Sequence, residues 1–167
     1  MRKEGIFYCC KGKGLQLVGY EILARAPHLI TDKEKDFLNF KRLLTKIKNI
    51  DDSLTYYINL MPVTLQHFSN EIIETLDKLK MKEKVVIELT EKPIQEFEKL
   101  SKKIGEGGIK ISIDDFGTES ANLDRIIKSI DFIESIKIDK VVWKNFTEVV
   151  KALLESELLK KSYFKKM

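Results

Sequence analysis

Short apolar, β-branched runs alternate along the chain with longer stretches in which apolar residues recur every three or four positions. That alternation argues for βα units and a largely parallel sheet. The runs predict strands at Gly5–Cys10, Leu15–Leu23, Thr55–Leu60, Lys84–Leu89, Ile109–Ile113 and Phe132–Ile138. Lys11-Gly12-Lys13-Gly14 reads as a hairpin connection between the first two, so the sheet is expected to open antiparallel and continue parallel. Phe37, Phe40, Leu44 and Ile47 share one helical face, as do Leu65, Phe68, Ile72, Leu76 and Leu79, and both stripes read as core. A helix over Glu91–Ile104 is expected to stop at Gly105, Gly107 and Gly108. Leu123, Ile126, Ile127 and Ile130 mark a further short helix, and a last helical pattern runs from Lys140 to Lys161. No internal repeat or low-complexity linker interrupts this order.

The polar residues inside these runs carry the chemistry. A strand of a helix-covered parallel sheet is buried on both faces and should be nearly all apolar. Instead Glu21, Asn59, Glu88, the pair Asp114-Asp115, and Lys137 stand at or near the carboxyl ends of successive predicted strands. One acid at a strand end is ordinarily a helix cap or a salt-bridge partner. Repeated at equivalent heights on adjacent strands, the acids need shared compensation, because an isolated buried carboxylate costs several kcal/mol. A divalent ion answers that need. The donors are carboxylate and amide oxygens without His or Cys, which suits Mg²⁺, Mn²⁺ or Ca²⁺ better than zinc. Asp114 and Asp115 are placed to serve two ions, which together activate a water for in-line attack at phosphorus. Lys137 is a candidate to position or deprotonate that water, or to neutralise a phosphate oxygen.

Composition narrows the class. The chain has 167 residues, 43% hydrophobic and 34% charged, which suits one globular domain with a core of its own. Its net charge of +4 is spread along the chain rather than gathered in a block, which argues against a nucleic-acid polymer or a membrane surface as partner. No apolar run reaches the ~20 residues of a membrane span and no signal-peptide core follows Met1, so a cytoplasmic location is the default expectation. Cys9 and Cys10 are adjacent, poor geometry for a disulfide and too few for a zinc site, and read as reduced strand residues.

The order of the motifs resembles that of the EAL-domain family, cyclic-di-GMP phosphodiesterases named for a Glu-Ala-Leu tripeptide. Here the tripeptide reads Glu21-Ile22-Leu23, followed by Ala24-Arg25. Ile58-Asn59-Leu60-Met61-Pro62 is similar to the family's Asn-Leu-Ser-Pro and Glu88-Leu89-Thr90-Glu91 to its Glu-x-Thr-Glu. Asp114-Asp115-Phe116-Gly117-Thr118 and Lys137-Ile138-Asp139 match its Asp-Asp-Phe-Gly-Thr and Lys-Ile-Asp. The resemblance covers roughly residues 6–155. It implies an α/β fold, a modified TIM barrel whose first strand is antiparallel, with the site at the carboxyl ends of the strands.

The resemblance also implies roles. Glu21, Asn59, Glu88, Asp114 and Asp115 would be ligands of Mg²⁺ or Mn²⁺, and Lys137 and Glu21 the catalytic residues, with Lys137 holding the attacking water. Arg25 would contact a substrate phosphate, Glu91 anchor the loop after Asp115, and Asp139 support the site. The implied function is metal-dependent hydrolysis of cyclic di-GMP to linear pGpG in second-messenger signalling. The alternative is an inactive EAL-like domain acting as a cyclic-di-GMP receptor or a protein-interaction module. The chain departs from the family's pattern in several places. Cys9-Cys10 replaces a Gln-Pro, and Glu119-Ser120-Ala121-Asn122 replaces Gly-Tyr-Ser-Ser. Neither the Glu-Gly-Val-Glu type motif nor the Gln-Gly motif of the family's last two strands occurs. The single domain is therefore expected to form an incomplete barrel of about six strands lacking the last two, its open edge covered by a second copy or a partner chain.

Overall fold

The structure, a computed structural model, describes residues 2–10, 14–23, 30–50, 53–89, 97–116, 129–138 and 163–165. Each β-branched run forms a strand: β1 (Arg2–Cys10), β2 (Gly14–Leu23), β3 (Thr55–Asn59), β4 (Val85–Leu89), β5 (Lys110–Phe116) and β6 (Ile133–Ile138). The stripes between them form α1 (Lys33–Ile47), α2 (Pro62–Lys78) and α3 (Phe97–Glu106). β1 pairs antiparallel with β2, and every later pairing is parallel in chain order. To the six expected strands the structure adds a short seventh, β7 (Tyr163–Lys165), parallel to Ser135, Ile136 and Lys137 of β6. Its two aromatic residues favour an extended chain, and its pairing satisfies backbone groups on the outer edge of β6. The sheet curls until β1 and β7 come within 8 Å between Cα atoms, with no ladder between them among the described residues. The result is an open, barrel-like α/β sheet.

Alternation along the strands separates two interiors. Ile22, Ile58, Ile87 and Ile113 face the helices and join Phe40, Leu44, Ile72 and Ile104 in the main core. The other face buries a much smaller apolar cluster of Tyr57 and Val86, with Val18 packed against it. Among the described residues, the strand-end part of that face is polar. Asp32 starts α1 by accepting the Lys35 N–H at 2.8 Å, and Pro62 occupies the first turn of α2, where no N–H is required. No helix among the described residues is long and apolar enough to cross a membrane.

Two glycines act through close approach. α3 does not stop at Gly105, as expected, but runs through it to Glu106, and the chain turns at Gly108 with φ +77°. A Cβ on Gly105 would lie 2.4 Å from Phe132, so the missing side chain lets α3 rest on the 3-10 turn Ile130–Phe132. Gly19 follows a bulge at Val18, where Ile6 pairs with Gly19 but Phe7 pairs with Leu17. A Cβ there would sit 2.3 Å from the backbone oxygen of Thr55, which the β2–β3 ladder fixes in place. Gly19→Ala is thus expected to cost about 1–3 kcal/mol of overpacking strain, read as a lower urea midpoint at unchanged slope. An unchanged midpoint would mean that the two strands separate freely. The expected helices around Leu123 and over Lys140–Lys161, and the start of the one from Glu91, lie outside the described residues.

Candidate active site

Four acids and amides and one lysine from five neighbouring strands meet inside the curl. Period-2 alternation turns Glu21 of β2, Asn59 of β3, Glu88 of β4, Asp114 of β5 and Lys137 of β6 to the face opposite the main core. The Lys137 Nζ lies 2.9 Å from Glu21 Oε2, 2.8 Å from Glu88 Oε1 and 3.2 Å from Asp114 Oδ1. Asn59 Nδ2 donates to the other oxygen of Glu21, Oε1, at 2.9 Å. Glu88 is fully buried and Lys137 is 3% exposed, whereas the Glu21 and Asp114 side chains keep 15%. The site therefore has a closed floor and a rim open to solvent.

The backbone register explains how residues on different rungs meet. Asn59 pairs with Glu88, but Glu21 pairs with Tyr57, and Glu88 with Ser112. The strands are staggered, as tilted barrel strands are, and residues at one height along the barrel axis sit diagonally in the ladder. Two residues before each site residue lies the layer beneath: Gly19, Tyr57, Val86, Ser112 and Ser135. Ser135 Oγ donates to Ser112 Oγ at 2.8 Å in full burial. Burial, then the charges of Glu134 and Glu88, push the Tyr57 phenol up to about 12, while a hydrogen bond with Ser135 opposes the shift. Tyr57 thus remains a neutral phenol. Sequence reasoning passed over this layer and its Ser112–Ser135 pair, though stepping back two residues from each site residue finds it.

Burial alone would pull the Lys137 ammonium down, but Glu88, Asp114 and Glu21 together outweigh it and hold its pKa above the ordinary lysine range. In this arrangement Lys137 is a cation at neutral pH and not a base. Among the described residues, three carboxylates against the Lys137 ammonium carry two more negative charges than positive. Its donors are all oxygens, the set a hard divalent ion takes. Among the described residues, however, no three acidic, histidine or cysteine side chains already form a cage for a metal. The three carboxylates converge on Lys137 instead.

A further positioning group escaped the sequence. Asp36 of α1 is buried, and its Oδ2 accepts the Met61 N–H at 2.8 Å, fixing the turn that follows Asn59 and begins α2. Burial raises its pKa, and the hydrogen bond from the Met61 N–H opposes the rise. Asp36→Ala is expected to cost about 1–3 kcal/mol, because the Met61 N–H loses its acceptor, with Asp36→Asn recovering most of it. Thermal unfolding of the two variants checks this, and equal melting points would remove the role. Asp115 lies on β5 with its side chain outside the described set, as are Arg25, Glu91 and Asp139 altogether.

The EAL domain family model matches residues 28–154. The chain belongs to the EAL domain family. The matched span of this EAL domain holds Asn59, Glu88, Asp114, Asp115 and Lys137, and begins after Glu21 and Arg25. Among solved structures, the domain is similar to the Bacillus subtilis YkuI protein, with an EAL domain, in complex with substrate c-di-GMP and calcium. The TM-score is 0.71 at 22% identity over 97% of this chain and 46% of YkuI. The PaMucR phosphodiesterase, in complex with c-di-GMP, gives a TM-score of 0.73 at 16% identity over 97% of this chain and 81% of its own. The FimX EAL domain from Pseudomonas aeruginosa, bound to c-di-GMP, gives 0.69 at 13% identity over 98% and 77%. At these identities the likeness is one of fold, and this chain spans less than half of YkuI. A search of curated proteins finds no match.

Proposed function

We propose that this EAL domain binds cyclic di-GMP at the strand-end site and hydrolyses one of its two phosphodiester bonds, giving linear pGpG with Mg²⁺ or Mn²⁺ as cofactor. The observation that carries the reading is the convergence of three carboxylates on one point, where among the described residues acids outnumber cations by two, the complement of a divalent ion. Glu21, Asn59, Glu88, Asp114 and Asp115 are the residues to hold it. Bound there, a divalent ion supplies charge neutralisation at the phosphodiester and a more acidic water. Glu21 is steadied from both sides, by Asn59 on Oε1 and by the Lys137 ammonium on Oε2. Lys137, held as an ammonium, stabilises the charge that builds on phosphate oxygen as water adds and the ribose oxygen leaves. The relatives support the choice of substrate, since YkuI, PaMucR and FimX are each described with c-di-GMP bound, and YkuI with calcium as well.

Incubation of the purified chain with cyclic di-GMP and Mn²⁺, followed by chromatography, tests the proposal. Metal-dependent appearance of pGpG is expected. Calorimetric binding with intact nucleotide at high protein concentration would replace the enzyme by a receptor, and absence of binding would remove the ligand as well.

A further inference from the structure

The cluster already contains a cation, and its placement bears on how a metal enters. An ammonium has three N–H donors, and Lys137 directs its Nζ to three carboxylates at 2.8, 2.9 and 3.2 Å. The contact with Glu21 is a hydrogen bond, and those with Glu88 and Asp114 are ion pairs. Glu88 is fully buried, so an ion seeking its carboxylate meets the ammonium that stands on it. A divalent ion placed beside a resident ammonium would face repulsion from a unit charge a few Å away, in a pocket shielded from water. Lys137, on a flexible four-carbon stem, is able to withdraw.

We propose that the Lys137 ammonium is a resident counter-ion for the metal site, and that a divalent ion enters by exchange: it takes over Glu21, Glu88 and Asp114 and releases the ammonium. This rests on the metal-binding reading above and adds a sequence of events to it. At 3% exposure Lys137 meets no ligand where it stands. Once displaced, it becomes free to meet a phosphodiester oxygen. Metal loading thereby prepares the cation that contacts the substrate, and the two ligands bind with positive coupling. The same exchange lowers the affinity for metal, since an existing set of three ion pairs must open first.

The decisive experiment is a Mn²⁺ titration by calorimetry without nucleotide. Lys137→Met, which removes the competitor and leaves the carboxylates, is expected to bind Mn²⁺ at least about tenfold more tightly than the parent chain. Equal or weaker binding overturns the exchange, and so does an absence of binding in both proteins. A measurement on the unaltered protein guards against misfolding of the variant. In a Mg²⁺ titration followed by nitrogen-15 NMR of the lysine ammonium groups, the Lys137 signal is expected to shift in step with saturation and to lose its protection from solvent exchange. An ammonium still protected at saturating Mg²⁺ overturns the proposal. Exchange observed without hydrolysis of cyclic di-GMP keeps this inference and rejects only the enzymatic reading.

Discussion

Replacing Lys137 by Met is expected to lower the unfolding free energy by about 3–5 kcal/mol in EDTA, the range for removing one side of a buried ionic contact. Lys137 contacts all three of Glu21, Glu88 and Asp114. Without it three carboxylates share one pocket, one of them fully buried, and lose the ammonium that offsets their repulsion. Mn²⁺ should return a large part of the loss, about 2.7 kcal/mol when its concentration is a hundredfold above its dissociation constant. The pH dependence has a definite sign. The folded-state pKa of Lys137 lies above its ordinary value of 10.5, so its contribution is complete below that value and is lost as pH rises through the folded-state pKa. The stability gap between parent and variant should therefore stay constant through the neutral range and close only in strong alkali. Urea unfolding in EDTA and in Mn²⁺ measures both effects. A loss below about 1 kcal/mol would place the ammonium outside the cluster in solution, since exposed ion pairs contribute about that much.

What the sequence revealed of this site follows from which forces are local. Glu21, Asn59, Glu88, Asp114 and Lys137 were legible because each breaks an apolar run at the same point, and a two-residue period assigns a face without knowledge of the neighbouring strand. Their mutual geometry was not legible. That Lys137 sits among the carboxylates, and not beside a water or a phosphate, depends on a contact with Glu21 across 116 residues. Asp36 was hidden for the same reason. It belongs to a helix stripe otherwise described by Phe40, Leu44 and Ile47, and its function is set by a backbone N–H 25 residues away. Gly105 was misjudged because a glycine near a helix end usually ends it, whereas here the need is clearance for Phe132. β7 is three residues long, too short for any periodicity to speak. The curled sheet was legible from the alternation of strands and helices, and its antiparallel opening from the glycines of the first turn.

Glu88→Gln should behave in the opposite way to Lys137→Met, and that contrast tests whether the acids are held for binding or for stability. The substitution keeps the volume of a fully buried side chain and removes one of three negative charges. Lys137 retains Glu21 at 2.9 Å and Asp114 at 3.2 Å, so no buried charge is stranded. The stability cost in EDTA should fall well short of the about 3–5 kcal/mol expected for losing the ammonium, because the cluster has acids in excess and a cation in short supply. Function should suffer far more. Loss of a charged oxygen donor should weaken Mn²⁺ by more than the about 10–100-fold typical of losing a ligand's supporting partner. If several kcal/mol of charge stabilisation go with it, hydrolysis of cyclic di-GMP falls by at least about a hundredfold. Calorimetry with Mn²⁺ and urea unfolding in EDTA, run on the same preparation, separate the two quantities. A variant that unfolds as easily as Lys137→Met while binding Mn²⁺ normally would make Glu88 a structural ion-pair partner. A variant that folds normally and loses the metal shows a carboxylate kept at some cost to stability for the sake of the ion, the trade expected where function and packing compete for one position.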